Sequence, residues 1–205
     1  MADWPTTRGV MALGNDREAA LELGRELAND DETGSIVVHL ADQGQDRRFV
    51  SALRAVGPAE ALAPALAPAG AYGIWATEFR HVKDAGRAPA AGERTPGISM
   101  FFACWRNPDW DHARFNAHWR DVHAPLAVRH HPGMRDYTQC EFAHAFTPKP
   151  VNYDGIAILQ FDSIEDYETR MFADAEGERI IGEDVAKFGD MNRLDRVRMI
   201  EHVLR

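Results

Sequence analysis

Residues 115–126 read Phe115-Asn116-Ala117-His118-Trp119-Arg120-Asp121-Val122-His123-Ala124-Pro125-Leu126. At 3.6 residues per turn, Phe115, His118, Trp119, Val122 and Leu126 share one helix face, and His123 falls at its edge. Pro125 lacks an N–H and crowds the preceding turn, so the helix is expected to end or kink near Ala124. Such a kink frees a carbonyl near Asp121 and turns His123 off the regular helix direction. A histidine on an apolar face is most often a core residue holding one hydrogen bond. Two of them beside a tryptophan shift the balance toward chemistry, because imidazole is the side chain that titrates nearest neutrality.

Working outward, residues Ile98 to Arg106 (ISMFFACWR) read as a strand that is apolar on both faces. Asn107-Pro108-Asp109 turns the chain, and Asp111 caps a helix running to about Arg129. Met134 to Phe146 and Tyr153 to Phe161 read as two further strands. Ser163 and Asp166 form a cap before a helical stretch from Ile164 to Phe188, broken near Asp174 to Gly177. Leu194 to Leu204 is the last strand. The order β-α-β-β-α-β is that of a ferredoxin-like unit, an antiparallel sheet with helices on one face.

Before this lies a stretch rich in Gly, Pro and Ala, Asp84 to Gly97, which reads as a linker. The first part of the chain, residues 1–83, reads β-α-β-α-β. Its elements are a strand at Thr7 to Leu13, a helix at Arg17 to Asn29 capped by Asp16, a strand at Ser35 to Leu40, a helix at Asp46 to Val56 and a strand at Ala71 to Val82. An Ala-rich segment, Glu60 to Leu66, lies among prolines. No site is assigned there: His39 and His81 are isolated, and the glycines lack the spacing of a phosphate loop.

The chain has 205 residues, of which 45% are apolar, enough to bury a core without disulfides or metals. With 23 basic and 32 acidic residues its formal charge is −9, which argues against nucleic acid and anionic membrane surfaces as partners. Cys104 and Cys140 form no metal-binding pattern and read as reduced thiols. Neither a signal peptide nor a membrane-spanning run is recognised, so the expected location is the cytoplasm. His130-His131 with His144 could bind a metal, but adjacent histidines at a helix end are more often solvated.

The run Arg106-Asn107-Pro108…Phe115-x-x-His118-Trp119-x-x-x-His123-Ala124-Pro125-Leu126, with Pro132-Gly133-Met134-Arg135-x-Tyr137-x-Gln139, resembles the EthD family. Tyr153-Asp154-Gly155-Ile156-Ala157 and Phe161-Asp162-Ser163 resemble its third strand, so the likeness spans about residues 98–204. Where the family often has Asn, this chain has Cys140. The resemblance implies a dimeric α+β barrel. Residues 1–83 would then be a degenerate second ferredoxin-like half, and two tandem halves would make the barrel within one chain.

The implied chemistry needs no cofactor. His118 and His123 would move protons on a hydrophobic aromatic or polyketide-like substrate, in a lyase, dehydratase, isomerase or cyclase reaction. Asp121 would orient a histidine. Trp105, Phe115, Trp119, Tyr137 and Phe161 would wall the pocket, with Gln139 as a fixed polar contact. A non-catalytic binding or accessory protein is the alternative reading, and a heme-binding protein ranks last. The sequence leaves homodimer formation open.

Overall fold

The computed structural model describes residues 3–30, 33–42, 48–86, 89–193 and 195–205. Strand β1 (Thr6–Gly14) leads to helix α1 (Arg17–Ala28), whose first N–H groups are capped by the Asp16 carboxylate. Strands β2 (Ile36–Ala41) and β3 (Ser51–Val56), helix α2 (Ala59–Ala65) and strand β4 (Gly73–Lys83) complete the first half. A two-residue strand β5 (Glu93–Arg94) precedes β6 (Ile98–Cys104), α3 (His112–His118), α4 (Ala124–His130), β7 (Asp136–Ala145) and β8 (Gly155–Phe161). Helices α5 (Ile164–Arg170) and α6 (Ala175–Phe188) and strand β9 (Asp195–Val203) end the chain.

Both halves run β-α-β-β-α-β, and both order their strands alike: β2-β3-β1-β4 and β7-β8-β6-β9. The halves join edge to edge through β4–β7, from Trp75↔Ala145 to Lys83↔Tyr137, and through β2–β9, from Val37↔Val203 to Ala41↔Met199. Every pairing is antiparallel, so the eight long strands close a barrel within one chain and leave no open sheet edge.

The segment expected as a helix at Asp46 to Val56 is a correction. Asp46 and Arg47 lie outside the described residues, and Ser51–Val56 is strand β3, paired with both β1 and β2. Its Ala52 faces the barrel core while Leu53 and Ala55 face the helices. A strand apolar on both faces loses its alternation, and Phe49, Leu53 and Val56 then imitate helical spacing.

Three apolar clusters hold the molecule together. Met11, Phe49, Trp75, Phe101, Phe142, Ile156 and Met199 fill the barrel. Val10, Ile36 and Leu53 meet α1 and α2 outside the first half, while Phe115, Trp119, Tyr137, Leu159, Phe161 and Phe188 lie between the second-half sheet and its helices. The two helical layers pack differently. A Cβ on Gly24 of α1 would meet Val38 at 2.5 Å, whereas one on Gly182 of α6 would meet nothing within 4 Å. Between the second layer and its sheet lies the cavity described below, with Gly182 on its rim.

Asp154 fixes the approach to α3. Its carboxylate accepts the backbone N–H of Arg106 at 2.8 Å, the Arg106 guanidinium, and His112 Nδ1 at 3.2 Å. Hydrogen bonds to Asp154 and Glu141 pull the His112 imidazole up to about 9, so it is a cation at neutral pH. Asp111 caps the helix through Arg114 N–H, as its position predicts. No helix among the described residues is long and apolar enough to cross a membrane.

Candidate functional site

The helix carrying the histidines does not end at Pro125 but runs on to His130. Residues Trp119–His123 form one π-helical turn between α3 and α4, in which Ala124 N–H reaches back to Trp119 O. In that i→i+5 register the N–H missing at Pro125 would have served the Arg120 carbonyl. The Trp4 indole Nε1–H serves it instead, at 3.2 Å.

The wide turn shifts the buried face by one residue. Sequence periodicity places Val122 and Leu126 inside, but Val122 is 43% exposed and the buried positions are His123, Ala124 and Ala127. In an unbroken α-helix residues five apart point about 140° away from each other. The π turn brings His118 and His123 onto one side, and a single carboxylate, Asp184 of α6, receives both. His118 Nε2 lies 2.8 Å from Asp184 Oδ1 and His123 Nδ1 lies 3.0 Å from Oδ2.

Asp184 is 2% exposed. Burial opposes its charge, but the hydrogen bonds from His123 and His118 outweigh it and hold the carboxyl below its usual range. An ionised carboxylate only accepts, so His123 donates from Nδ1, and Nε2 is the nitrogen left to exchange a proton with a ligand. Among the described residues Nε2 has no hydrogen-bond partner, and the ring lines a cavity of about 360 Å³.

That cavity lies between the outer face of β6, β7 and β8 and the helices. Its walls include Phe102, Trp105, Phe115, Trp119, Tyr137 and Phe188. It is predominantly apolar and of the size of small-molecule sites. Trp119 can lie flat on β8 because residue 155 is glycine: a Cβ there would meet the indole Cζ3 at 2.9 Å. Burial pushes the Cys104 thiol at the cavity wall up to about 12, so it is a protonated apolar group rather than a nucleophile.

Of the residues named from sequence, His123, Trp105, Phe115, Trp119 and Tyr137 line the cavity. His118 sits behind Asp184, against the Trp110 ring. Asp121 bonds the Arg120 guanidinium at 2.7 Å, and the carboxylate that orients the histidines is Asp184. Gln139 is spent inside the wall. Its Oε1 accepts from buried Arg80 at 2.7 Å, while its Nε2 donates to Trp119 O at 2.9 Å and to Tyr137 Oη at 3.0 Å. Phe161 does not line the cavity; it packs beneath α5 behind Tyr167, which does.

Sequence reasoning missed two residues. Asp184 shares the buried face of α6 with Ile181 and Phe188, and an acid on an apolar stripe is a readable signal. His131, read as solvated or metal-binding, is 2% exposed and lines the cavity. His144 stands elsewhere, beside Glu60, and the described residues hold no group of three or more metal-binding side chains.

His131 Nδ1–H donates to Met171 O at 2.6 Å. Burial lowers its pKa to about 4. The unfolded chain protonates this histidine near 6.5 and the folded one only near 4, so stability falls as pH drops between those values, by at most about 3 kcal/mol. Urea midpoints of the wild type and His131→Asn, whose amide keeps the bond to Met171, should therefore converge or cross as pH falls from about 7 to about 4. Parallel pH profiles would assign the acid sensitivity elsewhere.

The EthD domain model matches residues 107–192. No curated protein matches the chain. Among solved structures, an anthrone oxidase-like protein superposes with a TM-score of 0.60 at 13% identity, covering 97% of this chain and 92% of its own. A protein of Fusobacterium nucleatum subsp. nucleatum, named as a candidate monooxygenase, gives 0.50 at 11% identity over 100% of this chain and 94% of its own. An EthD family protein of Bacillus halodurans gives 0.39 at 24% identity, covering 49% of this chain and 95% of its own. The first two share the barrel fold over nearly the whole chain; fold alone does not carry an activity.

Proposed function

We propose that the cavity between helices and sheet, lined in large part by the segment 107–192 that matches the EthD domain model, is an active site for proton-transfer chemistry on a hydrophobic aromatic or polyketide-like ketone. The observation that carries the reading is the open Nε2 of His123, aimed by ionised Asp184 in an apolar, aromatic-walled cavity.

His123 Nε2 removes a proton from the carbon next to the substrate carbonyl, and Asp184 stabilises the imidazolium that forms. The electron pair left on carbon moves onto the carbonyl oxygen. Tyr137, a lining residue, would donate to that charge: its oxygen accepts Gln139 N–H, leaving its own proton to donate. The imidazolium returns the proton to another carbon in an isomerisation, or to a departing β-hydroxyl, which leaves as water, in a dehydration. His118 is a positioning residue that anchors the far oxygen of Asp184. No step requires a cofactor.

A simple ketone tests the first step. The wild type in D₂O should accelerate deuterium uptake at the α-carbon of 2-tetralone, followed by proton NMR. Stabilisation of the protein by 2-tetralone without any acceleration of exchange would replace catalysis with the reading of a small-molecule-binding accessory protein.

A further inference from the structure

We propose that the cavity's lip holds an anionic group of its ligand on Arg193 and Arg196, so that the natural ligand is an aromatic ketone that also bears a carboxylate; this rests on the cavity being the functional site. Arg196 of β9 is the register partner of Phe102 of β6, on the sheet face that looks toward the helices. Its guanidinium lies 5.6 Å from the Phe102 ring centroid, and that of Arg193 lies 4.6 Å from Trp105. Both arginines and both rings line the cavity.

Neither guanidinium has a carboxylate or a hydrogen-bond acceptor among the described residues; Arg114, on the Trp110 ring, is in the same position, but Arg193 and Arg196 are the arginines that line the cavity. Set at the mouth of an apolar cavity, two guanidiniums with uncommitted N–H donors can take the anionic group of a ligand whose body enters it. The ring contacts hold the guanidiniums in place without using their N–H donors. Their planar forks match a carboxylate's two oxygens better than a single point charge would.

Two acids also line the cavity. The Asp190 carboxylate, which accepts the Asn192 backbone N–H at 3.1 Å, keeps its charge and offsets one of the two arginines, leaving the lip one positive charge in excess. Glu178 lies at the opposite end of α6, ten residues from Phe188 or about 15 Å along the axis. The cavity is therefore basic at the end where Trp105, Phe102 and Phe188 stand, and the His123 ring lies 5.0 Å from Phe188. A carboxylate on the lip would lay an aromatic body across these rings with its reacting carbon toward His123.

Two near-isosteric probes test this: 2-naphthoate and the neutral 2-acetonaphthone, with binding read by tryptophan fluorescence. Wild type, Arg193→Gln/Arg196→Gln and Gly182→Phe are compared, the last filling open cavity space from α6. Naphthoate should bind the wild type about 10–100-fold tighter than the ketone, and the double variant should erase that advantage while leaving ketone binding within about twofold. Raising salt from about 50 to about 500 mM should weaken naphthoate alone. Equal binding of both probes, untouched by the arginine changes but blocked by Gly182→Phe, would overturn the anion anchor and keep the cavity. Binding indifferent to Gly182→Phe, or absent for both probes, would remove the cavity and the proposal together.

Discussion

Replacing His123 with Asn should slow deuterium uptake at the α-carbon of 2-tetralone by about 10²–10⁴-fold, the usual worth of a positioned general base. The asparagine amide can still donate to Asp184 Oδ2, so the hydrogen bond at 3.0 Å has a replacement and the fold should persist. Asp184→Asn should come close to the same loss by another route. It removes the charge that fixes the His123 tautomer and offsets the imidazolium, but leaves the shape. His118→Gln should cost about tenfold or less, because His118 reaches the reacting atoms only through Asp184. This graded order separates the proposal from a purely structural role. A structural triad would give similar losses of thermal stability for all three variants and no separation in exchange rate per folded molecule. Unchanged exchange in folded His123→Asn would remove His123 as the base.

The order of these effects depends on features that the sequence displays unevenly. The histidine helix is legible because Asp111 caps it and Phe115, Trp119 and Pro125 mark its apolar face and its irregularity. The sequence also shows the breaks that separate α5 from α6 and the strands of the second half. The π turn is not legible: Pro125 signals a lost hydrogen bond, but the same loss can be met by a kink or by one wider turn. Here Trp4, more than a hundred residues away, receives the freed carbonyl and lets the helix run on. Asp184 is distant for the same reason. It meets His123 across 61 residues, and only its place on the buried stripe of α6 distinguishes it from Glu183, its exposed neighbour. Gln139 illustrates the opposite failure. Its residue type and strand position suit a ligand contact, yet buried Arg80 takes its oxygen and leaves it bracing Trp119 and Tyr137. Strand β3 reads as a helix because burial on both faces erases the period that distinguishes strand from helix.

Trp119→Ala should be the most destabilising single change at the site, costing about 3–5 kcal/mol and roughly 6–20 °C in Tm for a domain of this size. Trp119 is 1% exposed, packs 5.5 Å from the Phe115 ring and fills the space over Gly155. Its backbone carbonyl remains in the variant, so the Ala124 and Gln139 hydrogen bonds survive and the π turn has no reason to unwind. The loss is therefore one of volume. Because the indole already forms a wall of the cavity, its removal joins new empty space to a pocket that admits planar aromatics. Indole added at about a hundred times its dissociation constant should then restore about 2.7 kcal/mol by mass action, while affecting the wild type far less. Recovery in Trp119→Ala but not in Phe49→Ala, whose ring packs inside the barrel against Phe101 and Tyr153, would tie the rescue to this pocket. Rescue of both variants alike would mean that indole binds elsewhere and that the Trp119 ring is ordinary core. Failure to rescue either, with the fold intact, would show that the helices collapse into the vacated space, which Gly182 leaves α6 room to do.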